Sequence, residues 1–511
     1  MPPVAEEPRL ARLGPALAAL ATFALHAACW GRYGIFRDEL YFLLCGERLS
    51  AGYVDQPPGI ALVARLAGAL FGTWVPGLRL LAWLAAALTV YLAGRLAARL
   101  RGGGAGAILA AAATASCLLL LGTSSFLSMN AFEPLLVLAL VTVLLRLSRG
   151  EDPRLWIAAG GLAGLAVLMK YSSAVISLAL LAGLVLTPAR RSLRTPWALA
   201  GGIFGLLVVL PNFAWQASHG FPFLELVRNQ LAYKNAPTSP LGFLRGLLFE
   251  SNPLDAPVWL GGLGWLLWAR PARDARFAGA GGLLYLLVLT FGHAKPYYAA
   301  PLLPVLLAAG GVALASLRPL RWLRWAWGGA LVASALALAP LAVPILPLKA
   351  LLAYLSVLGA EDGTGERNRP SVLPQVYADQ LGWDELVAGV ARAYASLSPG
   401  ERARAAVFGE NYGVASAVEI LGPAHGLPRG LAVSGHNQFW LWGVPPGRGD
   451  PLIVVSDERE TCGGLYREQQ LFERLPSTPY VMPYEDRHAL WICRGAREPL
   501  RALPPAVRHF E

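Results

Sequence analysis

The chain has 511 residues, 55% of them hydrophobic, and a mean hydropathy of +0.48, which excludes an ordinary water-soluble domain. Its net charge of +11 invites nucleic-acid binding, but the distribution of charge excludes it. Residues 1–349 carry 28 Lys and Arg against 13 Asp and Glu, whereas residues 350–511 carry 15 against 19.

A helix crossing a bilayer needs about 20 apolar residues. Stretches of that kind recur from Leu10 to about Pro347, and none follows Leu358. Apolar segments lie near 10–30, 77–98, 104–122, 131–147, 155–170, 173–188, 197–215, 257–269, 276–292, 298–316 and 322–346, which predicts about 11 transmembrane helices. The first has no small-residue cleavage site behind it, since Trp30, Arg32 and Tyr33 follow, so it reads as a retained helix and not a signal peptide. Arginines cluster in alternate gaps: Arg9 and Arg12, Arg95 to Arg101, Arg146 to Arg154, Arg190 to Arg194, Arg270 to Arg276, and Arg318 to Arg324. Cationic loops stay in the cytoplasm. This predicts a multi-pass protein of the cell membrane (inner or plasma), with a cytoplasmic N-terminus and, for an odd number of helices, an extracytoplasmic C-terminal domain.

The outer loop 31–76 mixes apolar and charged residues at helical spacing over Glu39–Leu49 and Gly59–Phe71, which predicts helices lying in the membrane interface. Tyr53-Val54-Asp55-Gln56-Pro57-Pro58 forms a turn between them. Residues 350–511 read as a soluble α/β domain. Strands are predicted at Ala405–Gly409, Leu431–Ser434, Leu452–Ser456 and Ala489–Cys493, and helices at Trp383–Ser396, Val414–Leu421 and Glu468–Leu475. Of the five cysteines, none in metal-type spacing, Cys462 and Cys493 could form a disulfide in an extracytoplasmic domain. There is no GxGxxG fingerprint, P-loop or internal repeat.

Chemistry-bearing residues collect in the outer loops. Asp38 and Glu39 are adjacent carboxylates at a membrane edge, costly unless hydrated, paired or functional, though Asp38 could simply cap a helix. Asp55 sits in the Pro-rich turn; Asn130 and Glu133 share a helical face. The chain has only four lysines, and Lys170, Lys234 and Lys295 all map to the outer rim. A compact ammonium suits a phosphate, but snorkelling explains such positions as well. Acidic and cationic residues on one side could hold a lipid-linked phosphate or line a transport path. In the soluble part, Glu410-Asn411-Tyr412 and Ser434-Gly435-His436-Asn437-Gln438-Phe439-Trp440 follow strands, where polar and aromatic side chains suit sugar or peptide contact, or ordinary loop packing.

The motifs Arg37-Asp38-Glu39-Leu40-Tyr41, Gly52-Tyr53-Val54-Asp55-Gln56-Pro57-Pro58, Leu127 to Leu135, Leu168-Met169-Lys170-Tyr171 and Lys295 to Pro304 resemble, in order and spacing, the glycosyltransferase family 39-like proteins of the glycosyltransferase C superfamily. The resemblance covers most of residues 1–320. It implies a polytopic glycosyltransferase of hexosyl or pentosyl type, which moves sugar from a polyprenyl-phosphate donor to a glycan, lipid or protein acceptor, with inversion. Asp38 matches the family's first-loop aspartate, the expected general base, with Glu39 beside it. Asp55 and His293 are the expected ligands if a divalent metal cation assists; His219 is the other candidate histidine. Tyr41, Lys170, Lys295, Tyr297 and Tyr298 are expected at the donor phosphate. Gln56, Asn130, Glu133, Arg228 and Lys234 are expected to contact acceptor or support the site. Gln56 departs from a phosphate-contacting lysine of some relatives, and Asn130 from an aspartate. A polytopic transporter or flippase is the rival function; the absence of repeats speaks against it.

Overall fold

The computed structural model describes residues 6–317, 321–359, 371–456, 462 and 464–511. Each apolar segment is helical. In chain order the helices are α1 (Glu6–Ala28), α2 (Arg37–Glu47), α3 (Gly59–Phe71), α4 (Val75–Ala97), α5 (Gly103–Ser116), α6 (Leu118–Thr123), α7 (Glu133–Ser148), α8 (Leu155–Met169), α9 (Ser173–Leu186), α10 (Pro196–Ser218), α11 (Pro222–Asn229), α12 (Pro240–Glu250), α13 (Ala256–Trp268), α14 (Arg276–Phe291), α15 (Leu303–Ala315), α16 (Arg321–Leu338) and α17 (Leu348–Leu358). Five stretches among the described residues are long and apolar enough to cross a membrane: Arg9–Ala28, Val75–Ser116, Met129–Ser148, Pro196–Ser218 and Arg270–Phe291. The second comprises α4 and α5, and Arg101 between them takes φ 73°. Helices α8, α9, α13 and α15 are shorter apolar rods packed among them.

Small residues let these helices meet. A Cβ on Gly201 of α10 would overlap the Trp156 carbonyl of α8, and one on Gly160 would overlap the Gly201 carbonyl. The same holds for Gly262 and Gly310, where α13 and α15 cross. Lipid offers little hydrophobic drive for helix association, so close van der Waals approach at small residues replaces it.

The C-terminal α/β part contributes α18 (Gln375–Ala378), α19 (Trp383–Ala395), α20 (Pro399–Arg404), α21 (Tyr412–Leu421) and α22 (Gln438–Trp442). Its strands are β1 (Ala406–Gly409), β2 (Ala432–Val433), β3 (Leu452–Ser456), β4 (Tyr466–Arg474) and β5 (Ala489–Ala496), in the order β2-β1-β3-β5-β4. The β2–β1–β3 half is parallel and β3–β5–β4 antiparallel. The segment expected as a helix over Glu468–Leu475 is the edge strand β4. Hydrogen bonding to β5, with Gln470 opposite Ile492, overrides its local pattern. Cys462 and Cys493 are joined in a disulfide.

Helix α3 has two unlike faces. It exposes Leu62, Leu66 and Leu70 on one stripe and buries Ile60, Ala61, Ala64 and Ala67 on the other. Helix α2 is covered by protein instead: Arg37 and every residue from Glu39 to Gly46 are buried, because α3 packs on one side and α21 of the C-terminal part on the other.

Candidate active site

The site begins at the first turn of α2. Phe36 caps it, and its N–H donates to Glu39 Oε2 at 2.8 Å. Glu39 is fully buried and also accepts from Arg79 Nε and Nη2, each at 2.8 Å, and from the Leu127 N–H at 2.8 Å. A carboxylate with four donors around it has no free lone pair aimed at a substrate. Glu39, expected beside the base, is therefore a strut that ties α2 to α4 and to the 124–128 turn.

Asp38 is different. It is half-buried, and one oxygen accepts from the Tyr412 hydroxyl at 2.8 Å. Tyr412 opens α21, which Asn411 caps by accepting from the Gly413 and Val414 N–H groups. Burial holds the Tyr412 phenol well above its ordinary range, so it stays a donor. Its ring lies 4.4 Å from the Arg37 guanidinium, whose other face meets Tyr484 at 4.8 Å. Arg37 also pairs with Glu485 at 3.4 Å, and its N–H donates to the Asp379 carbonyl. One helix turn on, Tyr41 packs its ring 4.8 Å from that of Tyr412 and donates to Asp55 Oδ1 at 2.9 Å. Burial pushes the Asp55 carboxyl up to about 7, reinforced by Asp38 and opposed by Tyr41 and Lys234. Tyr41, expected at the donor phosphate, is thus committed to Asp55.

The Pro-rich turn joins this acidic half to a cationic one. Gln216 of α10 donates to the Tyr53 carbonyl and to the Tyr171 hydroxyl, both at 3.0 Å. Gly59 rests against Leu168 and Met169 at the end of α8, leaving no room for a Cβ. Lys170 follows directly. Its ammonium donates to Asn130 at 2.7 Å, pairs with Glu133 at 3.5 Å, and lies 4.8 and 4.4 Å from the rings of Tyr297 and Tyr298. Glu133 also accepts from Ser173 at 2.6 Å. The structure therefore gathers Asn130, Glu133, Lys170, Tyr297 and Tyr298, five residues spread over 169 positions, into one cluster. Lys295 immediately precedes the 3-10 turn Pro296–Ala299 that carries both tyrosines.

Other expected residues fall elsewhere. Gln56 is buried, with its amide nitrogen 3.6 Å from Cys45 Sγ. Arg228 is exposed on α11. Lys234 is half-buried, within electrostatic range of Asp55 and His436. His293 is exposed at φ 56° with Nδ1 on the Thr238 carbonyl, and His219 is exposed and stacked on Trp215. Of the expected metal pair, Asp55 accepts from Tyr41 and His293 contacts the Thr238 carbonyl, and neither belongs to a group of three or more ligand-type residues among the described residues. The three-residue group with ligand-like spacing among the described residues is His436, His509 and Glu511. His436, kept neutral by burial, already accepts from the Tyr412 N–H through Nδ1 and faces the Glu511 carbonyl through Nε2.

Sequence reasoning missed Arg79, Asp379, Tyr484 and Gln216. It singled out Tyr412 and His436 only as polar and aromatic groups at strand ends. Nothing in one sequence pairs residue 38 with residue 412.

Residues 55–215 match the model of the dolichyl-phosphate-mannose-protein mannosyltransferase family. The fold is similar to that of ArnT from Cupriavidus metallidurans in the apo state, at 16% identity and a TM-score of 0.59, over 93% of this chain and 97% of that one. The structure of ArnT from the same organism bound to undecaprenyl phosphate gives 15% and 0.58, over 96% and 98%. Residues 55–215 are thus similar to that mannosyltransferase family, and the chain as a whole is similar in fold to ArnT. The family match contains Asp55, Asn130, Glu133 and Lys170; Asp38 and the C-terminal α/β part lie outside it. The likeness to ArnT runs across both parts, so the α/β part belongs to the shared fold. No curated protein matches the chain.

Proposed function

We propose that this family 39-like chain moves a sugar from a polyprenyl-phosphate carrier to the hydroxyl of an extracytoplasmic glycan, lipid or protein, with inversion. One observation carries this reading: two carboxylates, Asp38 and Asp55, are each held by a tyrosine hydroxyl, Lys234 lies in electrostatic range of Asp55, and Gln216 ties the Asp55 turn to Tyr171 beside Lys170. The structural neighbour that binds undecaprenyl phosphate supports a lipid-phosphate donor. The clusters of arginine in alternate gaps support a multi-pass arrangement with this rim outside.

Asp38 accepts the proton of the acceptor hydroxyl, whose oxygen attacks the anomeric carbon. The bond from that carbon to the phosphate oxygen breaks, and its electron pair leaves with the polyprenyl phosphate. A phosphate leaving group needs positive charge and no strong acid. Lys170, partly offset by Glu133, supplies that charge together with Lys234 and Lys295. No step here is routed through a divalent cation.

The test uses full-length protein in detergent with a panel of undecaprenyl-phosphate hexoses and pentoses, following release of undecaprenyl phosphate. At least one donor is turned over by the wild type, and Asp38→Asn lowers its transfer by about 10²–10⁴-fold while undecaprenyl phosphate still binds. Transfer by Asp38→Asn at the wild-type rate would sink the role of Asp38. No release from any donor by folded protein would sink the transferase reading.

A further inference from the structure

The helical part does not complete the acidic half of the site alone. Asp38 meets a hydroxyl from a residue 374 positions away, on a different part of the fold. We propose that Tyr412 of the α/β part is a positioning residue for transfer: its hydroxyl fixes the Asp38 carboxylate in the orientation that accepts the acceptor's proton. The inference rests on Asp38 being that acceptor.

Several independent features hold Tyr412 in place. Asn411 caps the helix that it opens, and the Asn411 amide donates to Glu485 at 3.1 Å. Arg37, next to Asp38 in the chain, lies flat on the Tyr412 ring. Gly413 allows that approach, because a Cβ there would come within 2.6 Å of Arg37 Nε. The Tyr412 backbone N–H points to His436 at 3.4 Å. Tyr41 closes the remaining side and carries Asp55. Thus Tyr412 grips one carboxylate, Tyr41 grips the other, and the two rings meet at a tilt of 39°. A hydroxyl on one carboxylate oxygen stops rotation of the group. A misplacement of about 1 Å in a reacting group costs about 10²-fold in rate.

Tyr412→Phe removes the hydroxyl and keeps the ring that packs on Arg37 and Tyr41. Tyr394→Phe is the control, since it removes a hydroxyl from the same part of the fold, bonded to the Arg402 carbonyl. Both are compared with Asp38→Asn on the donor that the wild type turns over best, with melting temperature and undecaprenyl phosphate binding measured alongside. Tyr412→Phe should lower kcat by about 10- to 100-fold, with KM for donor and the binding of undecaprenyl phosphate within about twofold of wild type. Tyr394→Phe should keep kcat within about twofold. If Tyr412→Phe keeps wild-type kcat while Asp38→Asn is inactive, the positioning role falls and the base assignment stands. If Tyr412→Phe loses activity only in proportion to lost fold or lost lipid binding, the hydroxyl is structural and the inference is overturned. Full activity of Asp38→Asn removes the premise and the inference with it.

Discussion

Asp38 and Glu39 are neighbours in the chain with opposite fates, and helix geometry is the reason. Successive positions on a helix point about 100° apart. Asp38 therefore turns toward Tyr412, while Glu39 turns inward to Arg79. The Glu39–Arg79 pair is dry, with side-chain exposures of 0% and 1%, and Arg79 also donates to the Gly34 carbonyl and to Gln380. Removing one charge from such a pair leaves the other buried and uncompensated, at a cost of about 3–5 kcal/mol. Glu39→Gln should thus lower the melting temperature sharply and lower activity only as folded protein is lost, whereas Asp38→Asn should leave melting nearly unchanged. An inactive Glu39→Gln protein with wild-type melting would restore a reacting role to Glu39. The adjacent carboxylates were legible in the sequence as a site; which of them faces substrate was not, because that depends on where residues 79 and 412 come to lie.

Helix α18 meets α2 through one acidic residue. The Asp379 carbonyl receives the Arg37 N–H, and its carboxylate receives the Tyr484 hydroxyl at 3.1 Å. Burial pushes that carboxyl from an ordinary 3.8 up to about 7; Arg37 opposes the rise, and Asp38 and Glu485 add to it. The raised value means that the folded state favours the neutral acid. Its contribution to stability is present in full below about pH 4 and is lost as pH rises toward 7, by up to about 1.4 kcal/mol per pH unit. Asp55 follows the same sign. The melting temperature should fall between pH 5 and pH 8, and Asp379→Asn should flatten part of that fall and raise stability above pH 7. A slope left unchanged by Asp379→Asn would refute the assignment. The misread β4 teaches the same lesson at this scale. Its polar pattern tolerates a helix or an edge strand, and only pairing with β5 decides.

At the scale of the molecule, two differently built parts share one interface. The α/β part reaches the helical part through Tyr412 and Asp38, Gln438 and Val54, Arg429 and Glu47, and Arg508 and Glu225. Both sides of that interface belong to the outer rim in the orientation proposed above. In sealed spheroplasts of a cysteine-labelling variant, a membrane-impermeant thiol reagent should reach a cysteine at Arg448 and leave one at Arg191 unlabelled until the membrane is opened. The reverse pattern would invert the topology.

Hydrophobic runs, the alternation of arginine and the gathering of ionisable residues in the loops between apolar runs are determined by the sequence itself, because burial in lipid and retention of cationic loops act on local composition. The separate surroundings of Asp38 and Glu39, the pairing of Lys170 with Glu133, the separate partners of Asp55 and His293, and the contact of Tyr412 with Asp38 were decided only by tertiary structure. Each depends on which distant side chain arrives within hydrogen-bond reach, and periodicity along a chain carries no information about that distance.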